Sequence, residues 1–552
     1  MKLIGRLSVC LVLATTAVAS LACGDVGDKT VVISAGADGD IALPQLSSQT
    51  QSRVYAELLF DKLAEIGQSQ NTVGDAGYVP HLAARWDWAR DSMAITFHLD
   101  PRAKWHDGQA LTARDVRFAF TVLTDPKTGS SAGVELARSV DSVSVADSLT
   151  ATVWYKARSP EQFHAVAYTL FPLPEHLLGN VPHDSLKSSA FAKAPVGSGP
   201  FTFVAWEQKR RFEMAAFDHY LLGRPKIDRL VFAIAGSAPT AVRAVLAGDA
   251  DFIERMQLED VAEASRLPDI TLLPLRRYDY GVVQFNLWTA DGTAPHPLFG
   301  SASMRRALTM AVDRAALVRN VHDTLGRPGL GPFARLQWSA DTTLRQIPFD
   351  VAESGRLLDV LGWKLGPRGM RSKAGQPLAF TLSVSSSSRS RVRYAELLQQ
   401  SFAAVGAAVT VNVTDMAGFV DQLMTHSFDA MVFGWTATPS PSGARQTWGS
   451  RAFTKGSPFN AGGWQNATFD AAVANALTAM DLKNARAHFR VAYQTAIDDA
   501  PAIWLYESLD PAAASRRLVT GEFRPDAWWA TVRSWDVTGP SRRPGAGRTA
   551  TP

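Results

Sequence analysis

Cysteine is almost missing from this 552-residue chain: Cys10 and Cys23 are the only two, both near the N-terminus. The body of the protein therefore has no pair from which to build a disulfide framework. A surplus of one charge is missing too, since 56 basic residues face 52 acidic ones, and Lys2 and Arg6 supply half of the net +4. That balance leaves no electrostatic footprint for nucleic acid. The one compact basic run, Ser541-Arg542-Arg543-Pro544, lies in a Pro/Gly-rich tail (541–552) that is expected to be disordered.

Long hydrophobic runs are absent except for residues 7–18, which are too short for a membrane span. With Lys2 and Arg6 before them and small residues after, they read as a secretory leader over residues 1–22. The eleven histidines are scattered, with no pair at metal-ligand spacing and no two-cysteine motif, so neither a metal site nor a cofactor is expected. Pro195-Val196-Gly197-Ser198-Gly199-Pro200 lacks the Gly-Lys-Ser/Thr ending that grips phosphate. No Gly-x-Ser-x-Gly elbow stands between a strand and a helix. A pair of glycosidase carboxylates would leave no sequence trace, because their separation is a three-dimensional property. An exported hydrolase on an α/β scaffold therefore stands as the alternative function class.

What is present is α/β patterning at 46% apolar and 20% charged residues, in a chain long enough for two or three lobes. Thr30-Val31-Val32-Ile33 reads as an opening strand. Residues 52–66 read as a helix with Tyr55, Leu58, Leu59 and Leu63 on one face and Gly67 as its stop. Ala94 to Leu99 forms the next strand, followed by an Asp107-Gly108 turn and a helix capped by Thr112 and Asp115. Residues 394–405 predict a helix stopped by Gly406, and Val409, Val411 and Val413 alternate as a strand. Ser385 to Ser388 reads as a loop. Ala430-Met431-Val432-Phe433 predicts a strand leading into Gly434-Trp435 and a loop with Pro439, Pro441 and Gly443, at the strand end where α/β sheets bind ligands. Fifteen tryptophans are many for this length, and most are expected to pack. Trp435, on a glycine-flanked strand end, is the exception.

Residues 85–120, RWDWARDSMAITFHLDPRAKWHDGQALTARDVRFAF, together with PVGSGPF (195–201), AVRAVLAGDADF (241–252), MRRALTMAVDRAALV (304–318), AESGRLLDVLGW (352–363), AAVGAAVTVNV (403–413), FDAMVFGW (428–435) and APAIWLY (500–506), occur in the order and spacing of one family. The chain resembles the extracellular solute-binding proteins that carry dipeptides, oligopeptides or nickel to ABC importers, over essentially its whole mature length. The resemblance implies a bilobal, type II periplasmic-binding fold with an additional subdomain, closing on a solute by hinge motion. It implies a substrate-binding lipoprotein, not an enzyme, acting as a monomer outside the cell membrane and delivering a small-molecule or peptide solute to a permease and ATPase. Ser20-Leu21-Ala22-Cys23 resembles a lipobox, with its leucine two positions before the cysteine instead of three, so Cys23 is the expected lipid anchor; two acyl chains hold a protein to a membrane stably.

By the same likeness, lobe I is expected from residues 28–50, 187–283 and 500–540, the subdomain from 51–186 and lobe II from 284–499, with Gln284-Phe285-Asn286 as one crossing. The candidate ligand contacts are Tyr55, Asn286, Gly434, Trp435, Thr436 and Thr438. Arg445 and Trp448 join them, as a group able to meet an anion and an aromatic flank. Peptide-binding relatives carry an aspartate in the loop after Gly-Trp, and this chain reads GWTATPSPSG. Thr438 and Ser440 stand where an acid is expected. Losing that charge-assisted hydrogen bond removes roughly 1.5–3 kcal/mol, so ordinary free-amine peptides are expected to bind weakly.

Overall fold

The computed structural model describes residues 29–47, 49–454 and 456–539; Cys23, the leader and the 541–552 tail lie outside them. A seven-stranded mixed sheet is centred on the strand Thr30–Ala35, whose residues Val31 and Ile33 are buried, and it continues through Arg229–Ile234, Arg211–Ala216 and Phe201–Glu207. On its other side come Phe252–Ile253, Asp510–Ser515 and Ile270–Leu275. A six-stranded sheet runs from Gly326–Arg327 through Ala502–Ser508, Asp279–Phe285, Ala430–Thr436 and Ala379–Ser385 to Ala408–Thr414. These two sheets are the cores of two lobes. A four-stranded antiparallel sheet of Ala83–Trp88, Ala94–Leu99, Thr150–Tyr155 and Val140–Asp147 forms the additional subdomain.

The subdomain and the first lobe share one apolar core, from Val31 and Phe212 to Phe97 and Trp105, whereas the second lobe has its own, around Val282, Leu382 and Phe489. A shared core ties the subdomain to lobe I, whereas no common apolar core ties the two lobes, which are joined by chain crossings and polar contacts. The capped helix of the subdomain is Ala113–Thr124, with the Thr112 amide donating to Asp115 Oδ2 over 2.8 Å.

The crossings lie elsewhere than the sequence suggests. Residues 276–278 connect Ile270–Leu275 of lobe I to Asp279–Phe285 of lobe II, and Leu509 connects Ala502–Ser508 of lobe II back to Asp510–Ser515. Residues 279–283 and 502–508 are strands of lobe II, and Gln284-Phe285-Asn286 sits inside that lobe. A continuous apolar strand shows no mark in sequence of the sheet it pairs with.

The first helix is also shorter than its periodicity predicts. It spans Thr50–Leu59, and Ala64–Ile66 is a short strand. The cause is tertiary: Gly199 N–H takes the Leu59 carbonyl at 2.8 Å, and the Asp61 amide donates to Ser198 Oγ at 3.1 Å, so the backbone groups that would continue the helix bond to the Pro195–Pro200 segment instead. A Cβ on Gly197 would lie 1.8 Å from the Leu59 oxygen, which explains the glycine. The helix Arg389–Ala403 starts earlier than predicted because Ser388 caps it, and Gly406 follows at φ +81°.

Candidate functional site: the interlobe cleft

Where the crossings meet the sheets, a cavity of about 290 Å³ opens between the lobes. Lobe I supplies Arg255 to Leu258, and the crossing at Leu509 with the strand ends flanking it supplies Ser508 to Pro511. Lobe II supplies Asp279, Tyr280, His322, Ser387, Ser388, Ser390, Arg391, Tyr506 and the strand end Gly434 to Thr436. A second cavity, of about 640 Å³, continues along lobe I past Arg255 and Gln257 to Ser34–Asp38, at the carboxyl end of the central strand.

Three expected residues are brought together here: Gly434, Trp435 and Thr436, which are the end of the strand and not its loop. The Trp435 ring stacks on Phe459 at 5.9 Å, and its indole N–H is buried without a hydrogen-bond partner. A Cβ on Gly434 would lie 3.0 Å from Arg391 Nη2 and 3.2 Å from the Tyr280 carbonyl, so the missing side chain lets the guanidinium lie against the strand.

The other expected contacts lie outside the cavity wall. Tyr55 is fully buried in lobe I, stacked on Phe212 at 3.9 Å with its hydroxyl donating to Asp38 at 3.2 Å. Asn286 is buried and donates to the His426 and Phe428 carbonyls at 2.8 and 2.9 Å, a structural role. Trp448 is buried, with its indole N–H on the Tyr280 hydroxyl at 3.0 Å, so it backs the wall from behind. Arg445 is exposed on the short helix Gly443–Trp448 and does not line the cavity. Thr438 is exposed, and its hydroxyl closes a turn by donating to the Ser440 carbonyl at 3.1 Å.

Residues to which the sequence does not point do most of the lining. Arg391 stands in the first turn of the helix that follows the serine run, at the carboxyl end of the strand Ala379–Ser385. The strand-end rule that picks out Gly434 would have picked out this junction too. Its Nε donates to the Tyr506 hydroxyl at 3.3 Å, and among the described residues no carboxylate lies within ion-pair distance of it. Tyr506 in turn stacks on Tyr394 at 4.8 Å, and Gly281 makes room for it, since a Cβ there would lie 2.2 Å from the Tyr506 ring. His322 contacts the Tyr394 hydroxyl through Nδ1 at 2.9 Å; burial, aided by the Arg391 charge, lowers its pKa to about 4, so the ring is neutral at pH 7.

At the hinge, Arg255 donates to Asp510 Oδ2 from Nε at 2.8 Å and from Nη2 at 2.5 Å, and Nη2 lies 3.2 Å from Asp279 Oδ2. Arg277 pairs with Glu254 at 3.0 Å and with Asp510 at 2.5 Å. Burial raises the Asp510 pKa, with Arg255 and Arg277 opposing that shift. Among the described residues no group of three or more His, Cys, Asp or Glu is placed to hold a metal, and no helix is long and apolar enough to cross a membrane.

Two lobes joined by paired crossings around a polar cleft, with a subdomain fused to one lobe, is the architecture of a solute clamp. The family model for bacterial extracellular solute-binding proteins, family 5 (middle), matches residues 77–455. The chain belongs to that family. Among its relatives, the oligopeptide-binding protein AppA of Bacillus subtilis is 27% identical over 451 residues, 80% of each chain. The solved structure of AppA from the same organism with a nonapeptide matches with a TM-score of 0.74 at 24% identity, covering 93% of this chain and 99% of that one. NikZ from Campylobacter jejuni, in complex with Ni(L-His), matches with a TM-score of 0.76 at 22% identity over 93% and 100%. This family 5 protein is thus a substrate-binding component of an ABC import system, with the type II bilobal fold and an interlobe cleft for its solute.

Proposed function

We propose that this receptor captures a small solute bearing a carboxylate or similar planar anion, which Arg391 holds while the Trp435 ring covers it. The observation that carries this reading is the Arg391 guanidinium, set in the cleft wall with a tyrosine hydroxyl and, among the described residues, no carboxylate against it. A guanidinium offers a fork of donors suited to a carboxylate. AppA and NikZ take solutes as different as a nonapeptide and Ni(L-His), so likeness alone does not choose the solute. The protein acts as a monomer anchored outside the cell membrane through acylated Cys23, and it releases its solute unchanged to the permease.

Native mass spectrometry of the freshly purified protein identifies a retained solute by its added mass. Arg391→Gln should lower the affinity for that solute ten- to a hundredfold, as expected for the loss of roughly 1.5–3 kcal/mol from a charged hydrogen bond. Unchanged affinity in the variant would overturn the assignment. Loss of solute over time in proportion to added protein would favour a hydrolase. Metabolic labelling with a fatty-acid analogue tests the anchor: the label should vanish in Cys23→Ala, and its persistence would rule out this anchor.

A further inference from the structure

We propose that Asp279 is the cation-binding residue of the cleft and takes an ammonium group of the solute, in place of the carboxylate that position 438 lacks. The inference rests on Arg391 as the anion site and deepens it, because together the two residues specify a solute with both charges.

Asp279 opens the strand Asp279–Phe285, and the sheet register sets it opposite Thr436, two residues before Thr438. A carboxylate missing from one strand end is thus present on its neighbour. Asp279 shares the cavity wall with Arg391, Trp435 and Tyr506. Its Oδ2 meets Arg255 at 3.2 Å, but Oδ1 is shielded from solvent and has no hydrogen-bond partner among the described residues. A carboxylate oxygen in that position lacks the donor it needs.

Charge balance points the same way. Among the described residues, the ion-paired partners of Glu254, Asp279 and Asp510 in the hinge network are Arg255 and Arg277, three acids against two bases. In the same cavity lining Arg391 carries a positive charge with, among the described residues, no carboxylate within ion-pair distance. A solute with one ammonium and one carboxylate, such as a free amino acid or short unblocked peptide, neutralises both groups. A solute with a carboxylate alone closes the clamp over an uncompensated charge, which a low-dielectric cleft penalises. If Asp279 serves only to fasten Arg255, the solute's amino group is irrelevant to binding.

The test offers the full-length protein an equimolar pool of dipeptides in three forms: unmodified, N-acetylated and C-terminally amidated. Native mass spectrometry reads what is retained. Unmodified dipeptides should be retained at least tenfold over their N-acetylated forms. Asp279→Asn should abolish that preference without weakening the N-acetylated forms. Asp279→Ser is a second neutral variant with the same expectation, and thermal melting shows which variants fold. Equal retention of unmodified and N-acetylated forms by the unaltered protein, or a preference that survives in the neutral variants, would overturn the proposal. Amidated forms retained as strongly as free acids, with the amino preference intact, would support Asp279 and overturn the Arg391 reading instead. Retention of no dipeptide in any form would overturn both.

Discussion

Ser440 Oγ donates to Glu161 Oε2 over 2.6 Å, joining the loop beyond the cleft strand to the additional subdomain. Glu161 also accepts from Thr72, whose hydroxyl takes the Trp338 indole N–H at 2.7 Å, so one buried carboxyl gathers lobe II around it. Burial raises the Glu161 pKa, with the Ser440, Thr72 and Trp338 donors opposing that shift. Ser440 thus serves interlobe contact, and its place near the expected acid of the loop has another use here. Glu161→Ala should leave these donors unmatched and destabilise the protein by about 1–3 kcal/mol. Solute affinity should fall as well, because the contact spans parts that separate on opening. Thermal denaturation and calorimetry check the two effects, and an unchanged affinity would detach this contact from closure.

Gly434→Ala is expected to spare the fold and disturb the site. The new methyl would meet the end of the flexible Arg391 side chain at 3.0 Å, which can move away, and the Tyr280 carbonyl at 3.2 Å, where a shift of a few tenths of an ångström is enough. Affinity for the retained solute should drop several-fold while the melting temperature holds within a few degrees. A collapse in stability with normal affinity would show that the strand, and not Arg391, absorbs the strain.

Tryptophan emission should report solute through one ring. Trp435 lines the cavity, whereas Trp448 is sealed behind Tyr280. Trp435→Phe should therefore remove most of the solute-induced change. Trp448→Phe should keep that change and lose about 1–2 kcal/mol of stability with its hydrogen bond. Fluorescence titration of both variants decides, and a signal that follows Trp448 would contradict this geometry.

Stability should fall steeply in acid. Burial alone would raise Glu57 and Glu65, but Arg53 and Lys62 around the first, and Lys62 and Arg524 around the second, hold each at about 2. A carboxyl whose folded pKa lies below its unfolded value of about 4.5 contributes stability above that value and loses it as pH falls towards 2. The melting temperature should be insensitive to these groups from pH 5 to 8 and decline below about 4.5. Glu57→Gln should be less stable at pH 7, since Arg53 and Lys62 lose their shared partner, and should show a shallower acid decline. An equal slope in variant and parent would assign the acid transition to other groups.

Much of this protein is determined locally. The Thr112–Asp115 cap, the Gly406 stop and the strand leading to Gly434-Trp435 follow from short-range periodicity and backbone chemistry, and the dispersed family segments follow from the sequence itself. The loss of an acid at Thr438 is equally visible there. Tertiary structure alone decided what stands in its place. Asp279, Arg391 and Tyr506 come from distant parts of the chain, and the sheet register and packing of lobe II bring them to one cavity. Trp448 and Asn286 look like ligand contacts in sequence but are consumed by internal hydrogen bonds. Side-chain periodicity encodes which face of an element is buried, but it carries no information about which strand becomes its neighbour; the charges that share a cavity are therefore settled only when the sheet is assembled.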